Sequence, residues 1–203
     1  MTPQPNWRDR QRAIREEAIL DAVQELLAER GYSLMSMDDV ANCVGISKAT
    51  LYQHFPSKEE LAVRTIVRRI HSTIALMREQ NDGLPAIERL EGVVWRILEN
   101  RYAKHRLADV NPAGMMPPNL LKEHPLYQEA QQHLETLMSA LVDEAKAQGD
   151  IQPHFPTPII VQMFFSYLRD INYETLIRTG AVSPEILTET LMEMVFNGLR
   201  KRN

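Results

Sequence analysis

The stretch VGISKATLYQHFPSKEEL, Val44 to Leu61, decides the fold. Ser47 is placed to cap a helix over Lys48 to His54, and Phe55-Pro56-Ser57 ends it. Ser57-Lys58-Glu59-Glu60 then has the pattern of a capping box that opens another helix. The segment from Lys48 to His54 is only about two turns long, and an isolated helix that short is marginal in water. Packing must therefore hold it in place. Yet it shows Lys48, Thr50, Tyr52, Gln53 and His54 around an apolar Leu51 and Phe55. A helix that cannot stand alone but carries this many hydrogen-bonding groups is built to present them.

Upstream, Ser36 can N-cap a short helix over Met37 to Val44, with Asp38 and Asp39 in the first turn where the helix dipole favours them. Gly45 ends that helix. Before it, Ile19, Ala22, Val23, Leu26 and Leu27 repeat at helical spacing between about Arg10 and Arg30, and Gly31 stands where a C-terminal glycine cap would. A short helix, a tight glycine turn and a second short helix form the helix-turn-helix arrangement. Met37, Val40, Ala41 and Val44, with Leu51 and Phe55, can pack on the stripe of the first helix. The outer face then carries Lys48, Ala49, Thr50, Gln53 and His54. A DNA major groove about 12 Å wide admits one helix, whose N-terminal residues reach base edges.

Gly31-Tyr32, followed by SMDDVANCVGISKATLYQHFPSKEEL, resembles the DNA-binding domain of the tetracycline-repressor (TetR) family over about Ile19 to Leu61. The spaced Ser47, Leu51-Tyr52, His54-Phe55 and Lys58-Glu59-Glu60-Leu61 carry the resemblance. It implies roles with which the chemistry agrees. Lys48, Thr50 and Gln53 are base-edge candidates: lysine donates to guanine, glutamine pairs bidentately with adenine, and the methyls of Ala49 and Thr50 touch a thymine methyl. Tyr52, His54 and Lys58 are phosphate contacts, with Ser36 and Ser47 adding hydroxyls or amides beside their work as caps. The run WRDRQRAIR, Trp7 to Arg15, supplies Arg12 and Arg15, with Arg8 and Arg10, to an N-terminal arm that follows the phosphate backbone or enters the minor groove.

The rest of the chain reads as helices. Asn81-Asp82-Gly83 breaks the chain, Pro85 opens a helix to about Lys104, and NPAGMMPP from Asn111 to Pro118 is a loop or a short bent helix. Pro125 opens a helix to about Gln148, Thr157-Pro158 and Gly180 bracket another, and Ser183-Pro184 opens the last, through about Leu199. The expected architecture is all-α, with about nine helices. Residues 1–62 form a three-helix DNA-binding domain and residues 63–203 a helical ligand-binding and dimerisation domain. The segment from Pro158 to Gly180 is apolar nearly all round, which marks a helix buried on several sides. The resemblance implies that it and the last helix pair with their copies in a homodimer, and Phe165, Ile171, Leu191 and Val195 are the interface candidates. For a ligand pocket the candidates are Trp95, Leu98, Tyr102, His105, Met115, Met116, Met138, Met163, Phe164 and Tyr167, since methionine adapts to irregular apolar shapes.

Composition narrows the class. The chain has 203 residues, and its 44% hydrophobic and 25% charged content is that of a globular protein. Its net charge of −4 argues against coating polyanions over the whole surface. A single cysteine, Cys43, excludes an intramolecular disulfide framework, and the cytosol is the expected compartment. No apolar run approaches the ~20 residues that span a bilayer. The histidines show no HExxH or clustered ligand spacing, and there is no glycine-rich phosphate loop and no GxSxG elbow, so neither an enzyme nor a cofactor or metal site is expected. The expected partners are double-stranded DNA carrying a near-palindromic operator, a second copy of the chain, and a small-molecule effector of unidentified structure. The expected function is regulation of transcription, by a repressor that a small apolar ligand releases. The alternative is a chromosome-organising protein of the same fold without an effector.

Overall fold

A computed structural model describes residues 6–79, 83–102, 116, 118–169 and 172–200. Among them are ten helices: α1 (Trp7–Leu34), α2 (Met37–Val44), α3 (Lys48–His54), α4 (Lys58–Glu79), α5 (Ala86–Tyr102), α6 (Pro118–Lys122), α7 (Pro125–Gln148), α8 (Thr157–Arg169), α9 (Asn172–Arg178) and α10 (Pro184–Leu199). The fold is all-α.

Caps set the short elements at the N-terminal end. Ser36 and Asp39 form a reciprocal box: the Asp39 amide donates to Ser36 Oγ at 3.1 Å, and the Ser36 amide donates to Asp39 Oδ2 at 3.0 Å. Two amides that α2 would leave orphaned are thereby satisfied. Gly45 closes α2 in the left-handed region (φ 74°, ψ 33°), and the Ile46 amide reaches back to the Ala41 carbonyl at 3.0 Å. That geometry turns the chain sharply into α3 and favours a residue without Cβ. Gly31 does comparable work inside α1, where φ 72° and ψ 168° put a kink between the long run and the last turn.

Apolar side chains gather in two clusters. The first holds Ile19, Val23 and Leu27 of α1, Val40 of α2, Leu51 and Phe55 around α3, and Leu61, Ala62, Val63, Ile66 and Val67 of α4. Leu51 and Phe55 are fully buried, so the short helix α3 is held from beneath, as its length requires. Arg68 braces α4 to α1, with Nη1 at 2.9 Å from both Glu17 Oε2 and Asp21 Oδ1. The second cluster joins Ile74 of α4 to Leu90, Val94 and Leu98 of α5, to Leu134, Met138 and Leu141 of α7, and to faces of α8 and α10. There the rings of Phe164 and Phe196 lie 5.7 Å apart.

Several expectations change. The single helix expected between Thr157 and Gly180 is two, α8 and α9. The proline-rich stretch gives way to a real helix at α6, and the first cluster extends into this region, taking in Met116, Leu121 and Ala130. Ile66 and Val67, beyond the boundary expected at residue 62, belong to the first cluster, and Ile70 packs against both clusters. Phe165, Leu191 and Val195 are buried among the chain's own side chains, so they build its core instead of offering a face to a second copy; Ile171 lies outside the described residues. The apolar groups exposed on these helices are others: Ile159 on α8 at 66%, and Ile186 and Met194 on α10 at 58% and 63%.

Candidate nucleic-acid interface

The outer face of α3 follows from what its inner face buries. With Leu51 and Phe55 turned inward, Lys48, Ala49, Tyr52 and Gln53 are exposed. Ser47 caps the helix: its Oγ accepts from the Thr50 amide at 3.1 Å and lies 2.8 Å from Thr50 Oγ1. The Thr50 hydroxyl is therefore engaged within the cap, and Thr50 is half-buried. Ser36 similarly spends its hydroxyl on Asp39. Hydrogen bonding from Ser36 holds the Asp39 carboxyl below the ordinary carboxylate range.

Lys48 does not extend freely into solvent. Its Nζ lies 2.9 Å from Asp38 Oδ2 in the first turn of α2, and this bond pushes the Lys48 pKa up. His54, expected as an open phosphate contact, takes another place. Its side chain is 9% exposed, and Nδ1 lies 3.1 Å from Glu16 Oε1, tying the end of α3 to α1. Burial alone would raise the Glu16 pKa, but the bonds from Arg12 and His54 outweigh it and the value is lowered.

Lys58, at the start of α4, has its ammonium 4.3 Å from the centroid of the Tyr32 ring and 3.5 Å from the Ser33 carbonyl. Tyr32 donates its hydroxyl to Glu59 at 3.0 Å; burial, with this bond, pushes its pKa up to about 12. Lys58 is thus anchored on the chain that links the kink at Gly31 to α2. The basic run is not an extended arm. Asn6 caps α1, so Arg8, Arg10, Arg12 and Arg15 ride on its first turns, with Arg12 bonded to Glu16 at 2.8 Å.

The ligand-pocket candidates divide. Leu98, Met138 and Phe164 are buried together in the second cluster, and Met163 packs against it. Met116 instead lies in the first cluster, against the helices around α3, so it is withdrawn from the pocket set. Trp95 is 39% exposed. His105 and Met115 lie outside the described residues, as do the side chains of Tyr102 and Tyr167. Among the described residues no three His, Cys, Asp or Glu side chains gather as a metal site would require. His71 and His133, far apart in sequence, do come to one surface groove between α4 and α7, where Arg78 Nη2 lies 3.2 Å from His133 Nε2. No described helix is long and apolar enough to cross a membrane.

One feature of the junction was invisible in the sequence. His124 stands at the N-cap position of α7 without a side-chain cap bond, and its Nε2 lies 3.1 Å from Glu60 Oε2 on the first turn of α4. The Glu60 carboxylate also accepts from Arg64 at 2.5 Å, so its two oxygens face Arg64 and His124, while its amide donates to Ser57 Oγ at 3.1 Å. Sixty-four residues separate the pair, and no local pattern announces it.

A capped, buried α2–turn–α3 unit with an exposed polar α3 face defines a helix-turn-helix DNA-binding regulator of transcription. Residues 19–65 match the family model of bacterial regulatory proteins, tetR family. The chain is 24% identical over 168 residues to the HTH-type transcriptional regulator UidR of Escherichia coli (strain K12), covering 80% of this chain and 84% of that one. Its fold is similar to that of the fatty acid degradation regulator FadR from Bacillus halodurans, at TM-score 0.74 and 22% identity over 92% of this chain and 97% of the other. It is also similar to FadR from Bacillus subtilis solved in complex with stearoyl-CoA, at TM-score 0.70 and 18% identity over 91% and 99% of the chains.

Proposed function

We propose that the chain is a homodimeric repressor that reads a near-palindromic operator with α3 and leaves it when a small apolar molecule enters its C-terminal bundle. The observation that carries the DNA-reading part is the pairing of a fully buried Leu51 and Phe55 with an exposed Lys48, Ala49, Tyr52 and Gln53 on the same seven-residue helix. Gln53, with Lys48 and Ala49, meets base edges. Thr50 adds its methyl, and Tyr52, Lys58 and the α1 arginines meet phosphates. Gln53→Ala should alter which bases are preferred, at about 1–3 kcal/mol per lost base contact, whereas Lys58→Ala should weaken all sequences alike and lower the salt slope by about one. Uniform weakening by Gln53→Ala would move that residue to the backbone class.

The dimer is favoured by the exposed Ile159, Ile186 and Met194, large apolar groups on the outer faces of α8 and α10. A two-fold axis through that face gives two identical reading heads and hence a palindromic site.

The effector part rests on two observations. The C-terminal interior groups Leu98, Met138, Met163 and Phe164, flexible and aromatic side chains suited to apolar guests, and a protein of similar fold is solved with stearoyl-CoA. Release follows from α4, whose Leu61 to Val67 sit in the cluster beneath α3 while Ile74 sits in the bundle cluster. The His124–Glu60 bond adds a second tie between the bundle and the start of α4. Half-sites lie about 34–36 Å apart, so a displacement of α4 by a few ångströms mismatches the two heads. By reciprocity, operator must weaken effector by the factor that effector weakens operator, typically 5–150-fold. Thermal-shift screening with fatty acyl thioesters, followed by titration of a hit against the operator complex, tests this. A tight ligand that leaves operator affinity unchanged removes the release mechanism and leaves DNA reading intact. An architectural protein would instead bind many sites without promoter preference. The site of action is the cytoplasm, where the chromosome lies.

A further inference from the structure

We propose that Asp38 and Lys48 act as one reader of a G·C base pair, the ammonium donating to guanine N7 and O6 and the carboxylate accepting from the cytosine N4 amino group. The proposal rests on α3 being the reading helix. The two residues come from the first turns of different helices, α2 and α3, and Lys48 Nζ lies 2.9 Å from Asp38 Oδ2. Their side chains are 52% and 60% exposed, so the pair covers no core, and an ion pair in that setting adds little to folding. Nor is Asp38 required for the cap: the box at the start of α2 is completed by Asp39. Its carboxylate is therefore available, beside the first residue of the reading helix.

The spacing suits a base-pair edge. In the major groove a G·C pair shows, in order, acceptors N7 and O6 of guanine and then the N4 donor of cytosine. O6 and N4 are hydrogen-bonded to each other at about 2.9 Å. A donor followed by an acceptor at 2.9 Å is the complement of that edge. An A·T pair sets its amino donor between two acceptors and ends in the thymine methyl. An ammonium on two adjacent acceptors followed by a carboxylate does not match that order. The carboxylate also repels phosphates, so a register that brings Asp38 to the backbone is disfavoured.

The test is selection of bound duplexes from a random pool by the full-length protein and by Asp38→Ala, Lys48→Met and the double variant, with binding then measured on duplexes altered one pair at a time. The unmodified protein should show one G·C pair in each half-site whose replacement by A·T weakens binding about 5- to 150-fold. Asp38→Ala should collapse that preference to a few-fold or less while leaving the preferences at other positions in place. Adding Lys48→Met to it should cost less at that pair than it does alone, because the two act as a unit. Asp38→Asn, which keeps the shape, supplies the same comparison if Asp38→Ala lowers the melting temperature. If Asp38→Ala keeps every preference and tightens all duplexes by one factor, Asp38 only repels phosphates and the proposal is wrong. If the unmodified protein selects no sequence, the underlying reading of α3 fails with it, and that outcome is recognisable before any variant is made.

Discussion

Replacing Ile186 with Ala strips the proposed dimer of an apolar group without touching the core of either copy. Ile186 is 58% exposed in the single chain. Full burial of such a side chain is worth about 1.5–3 kcal/mol, so covering its exposed part contributes roughly 1–2 kcal/mol per copy. A two-fold interface uses the residue twice, which brings the loss to about 2–4 kcal/mol. At 1.4 kcal/mol per factor of ten, the dimer dissociation constant should rise about 30- to 700-fold. Sedimentation of a dilution series reads this directly, and the melting temperature extrapolated to the monomer should stay within a few degrees. Leu191→Ala is the internal contrast. At 4% exposure Leu191 belongs to the core, so its loss should cost about 2–5 kcal/mol of folding stability. An unmodified chain that sediments as a folded monomer at micromolar concentration refutes the reasoning. So does an Ile186→Ala dimer as tight as the parent.

Other outcomes follow from the caps and the junction. Gly45→Ala meets no atom within 4 Å, so its effect is purely the backbone at φ 74°; unfolding in urea should show a loss of about 1–2 kcal/mol. Glu60 is partly buried, which alone would raise its pKa, yet the bonds from Arg64 and His124 bring it below the ordinary value. A depressed carboxylate stabilises the fold above its unfolded pKa of about 4.3, and that contribution disappears as pH falls through the folded value. Glu60→Gln should therefore melt lower than the parent at pH 7, with the gap closing below about pH 4; a gap unchanged at pH 3 contradicts the assignment. Leu121→Ala should destabilise the helix-turn-helix cluster although it lies 67 residues beyond the end of α3 at His54 (121 − 54), at about 2–5 kcal/mol in thermal unfolding.

What the sequence made legible was local. Ser36, Gly45, Ser47 and the Pro125 and Ser183-Pro184 starts are cap signals that act within a few residues, and the ends of α2, α3, α7 and α10 fall where they place them. Leu51 and Phe55 were identifiable as core because a two-turn helix needs them there. What it concealed depends on contacts between distant segments. The apolar content of α8 and α10 shows that these helices are buried, but not which side faces the chain's own bundle. Hence Phe165, Leu191 and Val195 were assigned outward while Ile159, Ile186 and Met194 hold the outer face. Met116 reads as pocket material by residue type, and only its burial in the cluster beneath α3 shows otherwise. His54 has the type and position of a phosphate ligand; that Glu16, thirty-eight residues earlier, engages it is a tertiary fact. Asp38 read as a dipole residue until its distance to Lys48 was known.

The central claim, that α3 reads base sequence in duplex DNA, is tested most directly by one ratio. A selected operator and a scrambled duplex of equal length and composition are titrated with the same protein at a single, stated salt concentration. A base-reading α3 should bind the operator at least about a thousand-fold more tightly, the lower end of what specific readers achieve over their own non-specific binding. A ratio near one, with both affinities falling alike as salt rises, would mean that the chain holds phosphates and reads no bases.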